Sequence, residues 1–327
     1  MRGFGRLIGG LAVLAVIGLL IFGIFNMQAI EDWLRLRNYS PPPPIANLAK
    51  ADTMTSKAAH VFYVTHPELI NDSKSFRQSC PGFEQTIVLG CYHSGYSSSI
   101  YIYNVQDNRL DGVVEVTAAH EMLHAAYDRL GVKEKQHIDS LLIDYYANDL
   151  SDQRIQDTIE SYKKSEPNEV LNEMHSIFGT EVNHLPKELE TYYSRYFSDR
   201  SKVADYADNY AGEFSSRSQK IKDYERQLAD LKTTIENRES QLDSQLAQIQ
   251  AERQRMDQLR ASNQSAEYNA AVPGFNKLVN DYNAGVEELK SDISRYNDLV
   301  AAHNALAEEL SGLYQSLDTS LSTQAAQ

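Results

Sequence analysis

Val116-Thr117-Ala118-Ala119-His120-Glu121-Met122-Leu123-His124-Ala125-Ala126 decides how the rest of this 327-residue chain is read. Val114, Thr117, Ala118, Met122, Ala125 and Leu130 recur at helical spacing without an intervening proline, which predicts a helix starting near Asp111 or Glu115 and ended by Gly131. Residues four apart on a helix stand one turn above each other. His120 and His124 therefore present two imidazoles on one face, a spacing that grips one Zn²⁺, with Glu121 beside the metal to accept a proton from its water.

Upstream of that helix the chain alternates as strands do. Ala59 to Val64, Thr86 to Cys91 and Ser98 to Val105 are β-rich, with Gly82, Gly90, Gly95, Asn108 and Gly112 as turn signals. Downstream, helical stretches are expected at about Glu134 to Asn148, Asp152 to Ser165, Glu169 to Phe178 and Lys187 to Phe197. Cys80 and Cys91 flank a short stretch that closes as a hairpin, so a disulfide between them is expected in an oxidising compartment, two buried thiols being the other reading.

These residues resemble the zincin metallopeptidases, whose motif is likewise flanked by uncharged and apolar positions. The metzincin branch requires a Gly and a further His where this chain has Tyr127 and Leu130. What remains is similar to the gluzincin branch, in which a Glu on a later helix completes the metal site. The resemblance implies an α+β zincin-like domain, a peptide or protein substrate, one Zn²⁺ per chain, and His120, His124 and Glu173 as ligands. Glu181 is next in line for the third position, and Glu169, His175 and His184 are nearby. Asp128, one turn after His124, is a candidate to orient a ligand histidine. A neutral donor is needed beside the developing oxyanion; His184, Tyr192 and Tyr193 are of the right types, and His184 and Tyr193 are grouped with Glu121 as catalytic candidates. The resemblance also lays an extended substrate along an edge strand, assigned to Ile100 to Val105. His60, His66, His93, His137 and His303 are given no metal role.

Two other classes compete. Glu121-x-x-His124 and Glu181-x-x-His184 repeat one spacing, which with Glu173 echoes the di-iron carboxylate bundles. A membrane-anchored coiled-coil scaffold with a structural or degenerate metal site would account for the long C-terminal arm.

The ends of the chain set its organisation. Leu7 to Phe25 holds 19 residues without a charge, enough to cross a hydrocarbon core of about 30 Å, so residues 1–25 are expected to form a cytoplasmic tip and single-pass anchor. Arg2 and Arg6 before it and Arg35 and Arg37 after it leave orientation undecided by charge; the cysteine pair favours an extracytoplasmic catalytic domain at the cell membrane. Residues 26–44 read as an amphipathic juxtamembrane collar carrying Trp33, followed by a polyproline spacer at Pro41 to Pro44. Residues 45–214 form the predicted metallopeptidase domain. Residues 215–327 read as a long antiparallel helical hairpin: Ile221, Leu228, Ile235, Leu242, Ile249 and Met256 recur every seven, while Arg238, Gln245 and Glu252 interrupt the second core column. Asn269 to Gly274, with Pro273, is the expected break. Such an arm suits a helical partner or self-association. A formal charge of −14 excludes nucleic acid as a partner, and two Cys exclude a disulfide-dense scaffold.

Overall fold

The computed structural model describes residues 26–81, 88–95 and 97–319. The expected anchor Leu7 to Phe25 lies outside them; among the described residues no helix is long and apolar enough to cross a membrane. The fold is α+β and mostly helical, with helices α1 (Met27–Leu36), α2 (Pro43–Ala51), α3 (Ser56–Val64), α4 (Ser73–Ser79), α5 (Val113–Asp128), α6 (Val132–Asn148), α7 (Gln153–Ser165), α8 (Val170–Glu181), α9 (Lys187–Tyr193), α10 (Arg200–Ala261) and α11 (Ser265–Leu317). Strands β1 (Glu68–Ile70), β2 (Gly90–His93) and β3 (Ser99–Tyr103) form one small sheet. The chain separates into two compact units, one running to Ala211 and resuming at Gln315, the other Gly212–Tyr314.

In the first unit α5 is the central element. Ala118, Ala119, Met122, Leu123 and Ala125 are fully buried, because small and apolar side chains all round let neighbours close on every face. α8 covers one side, β2 and β3 another, and α2 and α3 a third. The closest approach is to α8. A Cβ on Gly179 would lie 2.4 Å from Leu123 Cδ1 and 2.8 Å from Tyr193 Cε1, so only glycine fits there. The far end of α8 is fixed by Arg200, whose buried guanidinium donates to the carbonyls of Val182 and Asn183 and pairs with Glu190.

Several elements differ from the sequence expectation for local reasons. Ala59 to Val64 is helical, not extended: Thr55 caps α3 by accepting from Ala58 N at 3.2 Å, and Ala58, Val61 and Phe62 bury one helical face. The four prolines do not form a spacer, since Pro43 and Pro44 open α2, where a missing N–H costs nothing. α5 ends at Asp128, and Gly131 precedes α6 instead of closing α5. β3, expected at the sheet edge, is the central strand in the order β1-β3-β2, parallel to β1 and antiparallel to β2. The Cys80–Cys91 disulfide is formed and joins the end of α4 to β2.

In the second unit α10 and α11 pack antiparallel. Arg238 Nε lies 2.9 Å from Asp292 Oδ2 and also pairs with Glu288, and Gly285 sits against Leu242. Arg238, a poor apolar knob, thus serves as an ion-pair partner. The break falls at residues 262–264. There Asn263 adopts φ 62°, its N–H bonds Arg260 O, and Gln264 N bonds Leu259 O at 2.9 Å, a left-handed cap that satisfies the last carbonyls of α10. Pro273, expected at the break, lies inside α11.

Two outcomes follow from the packing. Gly179→Ala must push α5 and α8 apart, and denaturant unfolding should show a loss of about 1–3 kcal/mol. Asp52, at the end of α2, is fully buried with neither carboxylate oxygen hydrogen-bonded, and burial, then the Glu115 charge, push its carboxyl well above the ordinary 3.8 despite Lys202. The folded chain keeps this proton where the unfolded chain releases it, so Asp52 lowers stability as pH rises above 3.8 toward its raised folded value. The gain in unfolding free energy of Asp52→Asn over the wild type is therefore expected to be larger at pH 8 than at pH 5.

Candidate metal centre

α5 and α8 bring His120, His124 and Glu173 together. Their ligand atoms all lie within 4.8 Å of one another, the one group of three or more such side chains among the described residues that can hold a metal ion. His120 Nε2 is 3.5 Å from Glu173 Oε2, and His124 Nε2 is 3.5 Å from Glu173 Oε1. His124 and Glu173 are each 8% exposed, and Glu173 Oε2 is buried with no hydrogen-bond partner. A stranded carboxylate oxygen is costly unless a cation faces it. Burial disfavours the Glu173 carboxylate, and the Tyr162 hydroxyl bonded to it acts the other way.

The tautomer of His124 is set by its other nitrogen. Nδ1 lies 2.9 Å from Asn172 Oδ1, an acceptor, so Nδ1 carries the proton and Nε2 turns its lone pair toward Glu173. Ser176 Oγ, 3.3 Å from Nδ1, reinforces this. Two imidazole lone pairs and a carboxylate converging on one point repel each other in the absence of a positive ion. The donor set therefore fits a divalent cation of the zinc type, two nitrogens and one oxygen.

Glu121, 6% exposed, lines the same cavity of about 410 Å³ as the three ligands. β2 forms part of the cavity wall, and its approach is close: a Cβ on Gly90 would lie 2.7 Å from Glu121 Oε1 and 2.6 Å from Thr117 Cγ2. Tyr103 N donates to Leu89 O at 2.7 Å, so by the antiparallel alternation Leu89 and Cys91 face β3. Gly90 and Tyr92 then direct their backbone N–H and C=O away from the sheet. Tyr92 also hydrogen-bonds Asp128, and burial followed by that carboxylate pushes its hydroxyl up to about 12. The lining includes Asp128, Glu166, Glu169 and Glu181 and no Lys or Arg, which makes the cavity attractive to cations.

The other candidates fall elsewhere. His184 is exposed, outside the cavity lining, and meets Tyr145 through its carbonyl. Tyr193 is fully buried and donates to His175 O at 2.7 Å, while Tyr192 bonds His175 Nε2 at 2.8 Å. These tyrosines form a packed floor under α8, on which its His175, an imidazole that burial keeps well below its ordinary range, rests. Glu181 lines the cavity but is held by Arg154 at 2.6 Å, so the second E-x-x-H pair does not build a second metal site. Asp128 engages Tyr92, and the orienting role expected of Asp128 falls instead to Asn172. Asn172 and Ser176 share the helical face of Glu173, a readable signal; Tyr162 comes from α7 and carries none.

No family model, curated protein or solved structure matches this chain.

Asn172→Ala frees the His124 ring to rotate and to take the wrong tautomer. Zinc affinity measured by competition with a chelator should fall about 10–100-fold, with the fold retained by circular dichroism.

Proposed function

We propose that this chain is a membrane-anchored zinc metallopeptidase. The observation that carries the reading is the His120–His124–Glu173 group, with one buried carboxylate oxygen that accepts no hydrogen bond, beside a cavity that Glu121 also lines. Bound there, zinc supplies Lewis acidity toward water and toward a peptide carbonyl. Glu121 accepts the proton of the attacking water and delivers it to the leaving amine, a shuttle that suits a carboxylate lying against the ligand helix and β2. The outward-facing N–H and C=O of Gly90 and Tyr92 pair with an extended substrate, so the substrate strand is β2, not Ile100 to Val105. Gly90 is required because any side chain there would displace Glu121. Tyr162 lies in the cavity wall and takes the place of His184 and Tyr193 as the neutral donor, its hydroxyl turning from Glu173 to the reacting carbonyl.

A scaffold with a purely structural metal has no use for a buried base at position 121. The test is elemental analysis of the full chain beside two variants, with cleavage of an unfolded protein as the activity readout. One zinc per chain is expected in the wild type and in Glu121→Gln, the latter with cleavage reduced about 10²–10⁴-fold, and Glu173→Ala should lose the metal. A chain without zinc, or Glu121→Gln with undiminished cleavage, overturns the proposal.

A further inference from the structure

The outer face of α1 gathers four exposed large apolar side chains on one short helix of the first unit. Met27, Ile30, Trp33 and Leu34 recur at helical spacing and are 67%, 42%, 62% and 47% exposed. A monomeric protein rarely leaves four large apolar side chains together in water. Arg37 closes this face with its guanidinium 5.9 Å from the Trp33 ring, so a cation sits at the border of the apolar patch. The opposite face is fastened to the unit. Asp32, 7% exposed, accepts from both Arg129 Nη1 at 2.8 Å and Nη2 at 3.0 Å and lies 3.0 Å from His60 Nε2. Arg35 Nη2 donates to Ser98 O at 2.6 Å, and His66 Nε2 meets Arg35 O at 3.1 Å.

Where the chain comes from identifies what covers the exposed face. The described residues begin at Asn26, one position after the uncharged run Leu7 to Phe25, which is long enough to span a bilayer. Asn26 has φ −115° and ψ 16°, outside the helical region, so α1 starts as a helix of its own and is free to lie at an angle to whatever precedes it. Such a helix, with Trp at its centre and Arg at its end, matches the interfacial layer of a membrane, where indole and guanidinium groups partition between acyl chains and phosphates.

We infer that the outer face of α1 is a membrane-docking surface that seats Met27, Ile30, Trp33 and Leu34 in the headgroup layer of a phospholipid bilayer. Arg129 caps α5, so the Asp32–Arg129 pair joins the docked helix to the helix that bears His120 and His124. Docking therefore sets the distance between the metal centre and the lipid surface, and the substrate reached would be a chain segment close to that surface. This last clause rests on the peptidase proposal; the docking surface does not.

Trp33 is the only tryptophan in the chain, which makes the test direct. The full chain is reconstituted with phosphatidylcholine–phosphatidylglycerol vesicles, and Trp33 emission is read with lipids brominated high on the acyl chain and with aqueous iodide. The expected result is blue-shifted emission, reduced about twofold by the brominated lipid and little affected by iodide. In a second variant, Ile30→Glu with Leu34→Glu, both at exposed positions, emission should move to the red and lose lipid quenching. Emission at long wavelength that iodide quenches shows the face open to water and overturns the inference. Blue-shifted emission unaffected by brominated lipid shows that protein covers Trp33, from a second copy or from residues 1–25, and overturns it equally. Zinc content and cleavage are unaffected by either outcome, so failure here is separable from failure of the peptidase proposal.

Discussion

The contact between α5 and α8 is the constraint on which this molecule depends. Two histidines on one helix become a metal site only if a third ligand is carried to them, and Glu173 reaches them because α8 lies close against α5. That distance is set by what is missing at Gly179, where a single methyl would collide with Leu123 and Tyr193. Interiors packed to crystalline density transmit such a displacement instead of absorbing it. His175 of α8 packs on the tyrosines Tyr192 and Tyr193, with Tyr196 behind Tyr192, which keeps α8 from sliding, and Arg200 satisfies the carbonyls at its end. The most apolar part of the unit thus positions the most polar part.

Charge gives the same site a different logic. Glu121, Glu173 and the two imidazoles lie within or beside one cluster, with further carboxylates at the cavity wall, of which Glu181 is paired with Arg154, and no Lys or Arg in the lining. An assembly of lone pairs and anions of this kind is unfavourable by itself, and a divalent ion removes the conflict. Asn172 and Ser176 add to the conflict by holding His124 in the tautomer that aims a lone pair inward. Groups so arranged are strained toward a ligand, and their stability is coupled to its binding.

What the sequence made legible follows from the range of each signal. His120, Glu121 and His124 share a helical turn, so periodicity alone placed them correctly. Glu173 required knowing that a later helix would return, which the resemblance to a metallopeptidase class supplied. His184 and Tyr193 were selected by chemical type near the right place in the chain. Their positions were decided by packing: one stands at the surface and the other lies in the core. The cavity wall escaped for a related reason, because which of two adjacent strands lies at the edge is a matter of sheet order, not of either strand's composition. Caps were stronger than composition: Thr55 turned a β-branched and aromatic stretch into α3, and Asn263 ended α10 well before Pro273.

α5 also joins features that are far apart in sequence. Along one side it meets β2, and the disulfide ties that strand to the end of α4, which limits how far the strand can drift from Glu121. Beyond its last turn Arg129 is held by Asp32 of α1. A helix held at both places does more than carry two of the candidate ligands: it fixes β2 and the outer face of α1 in one frame. β2 itself lies along α5, since Gly90 sits beside Thr117 and Glu121 while Tyr92 reaches Asp128 near the helix end. The cavity wall beside the His120–His124–Glu173 group is therefore set by the strand, and the group itself by the helix.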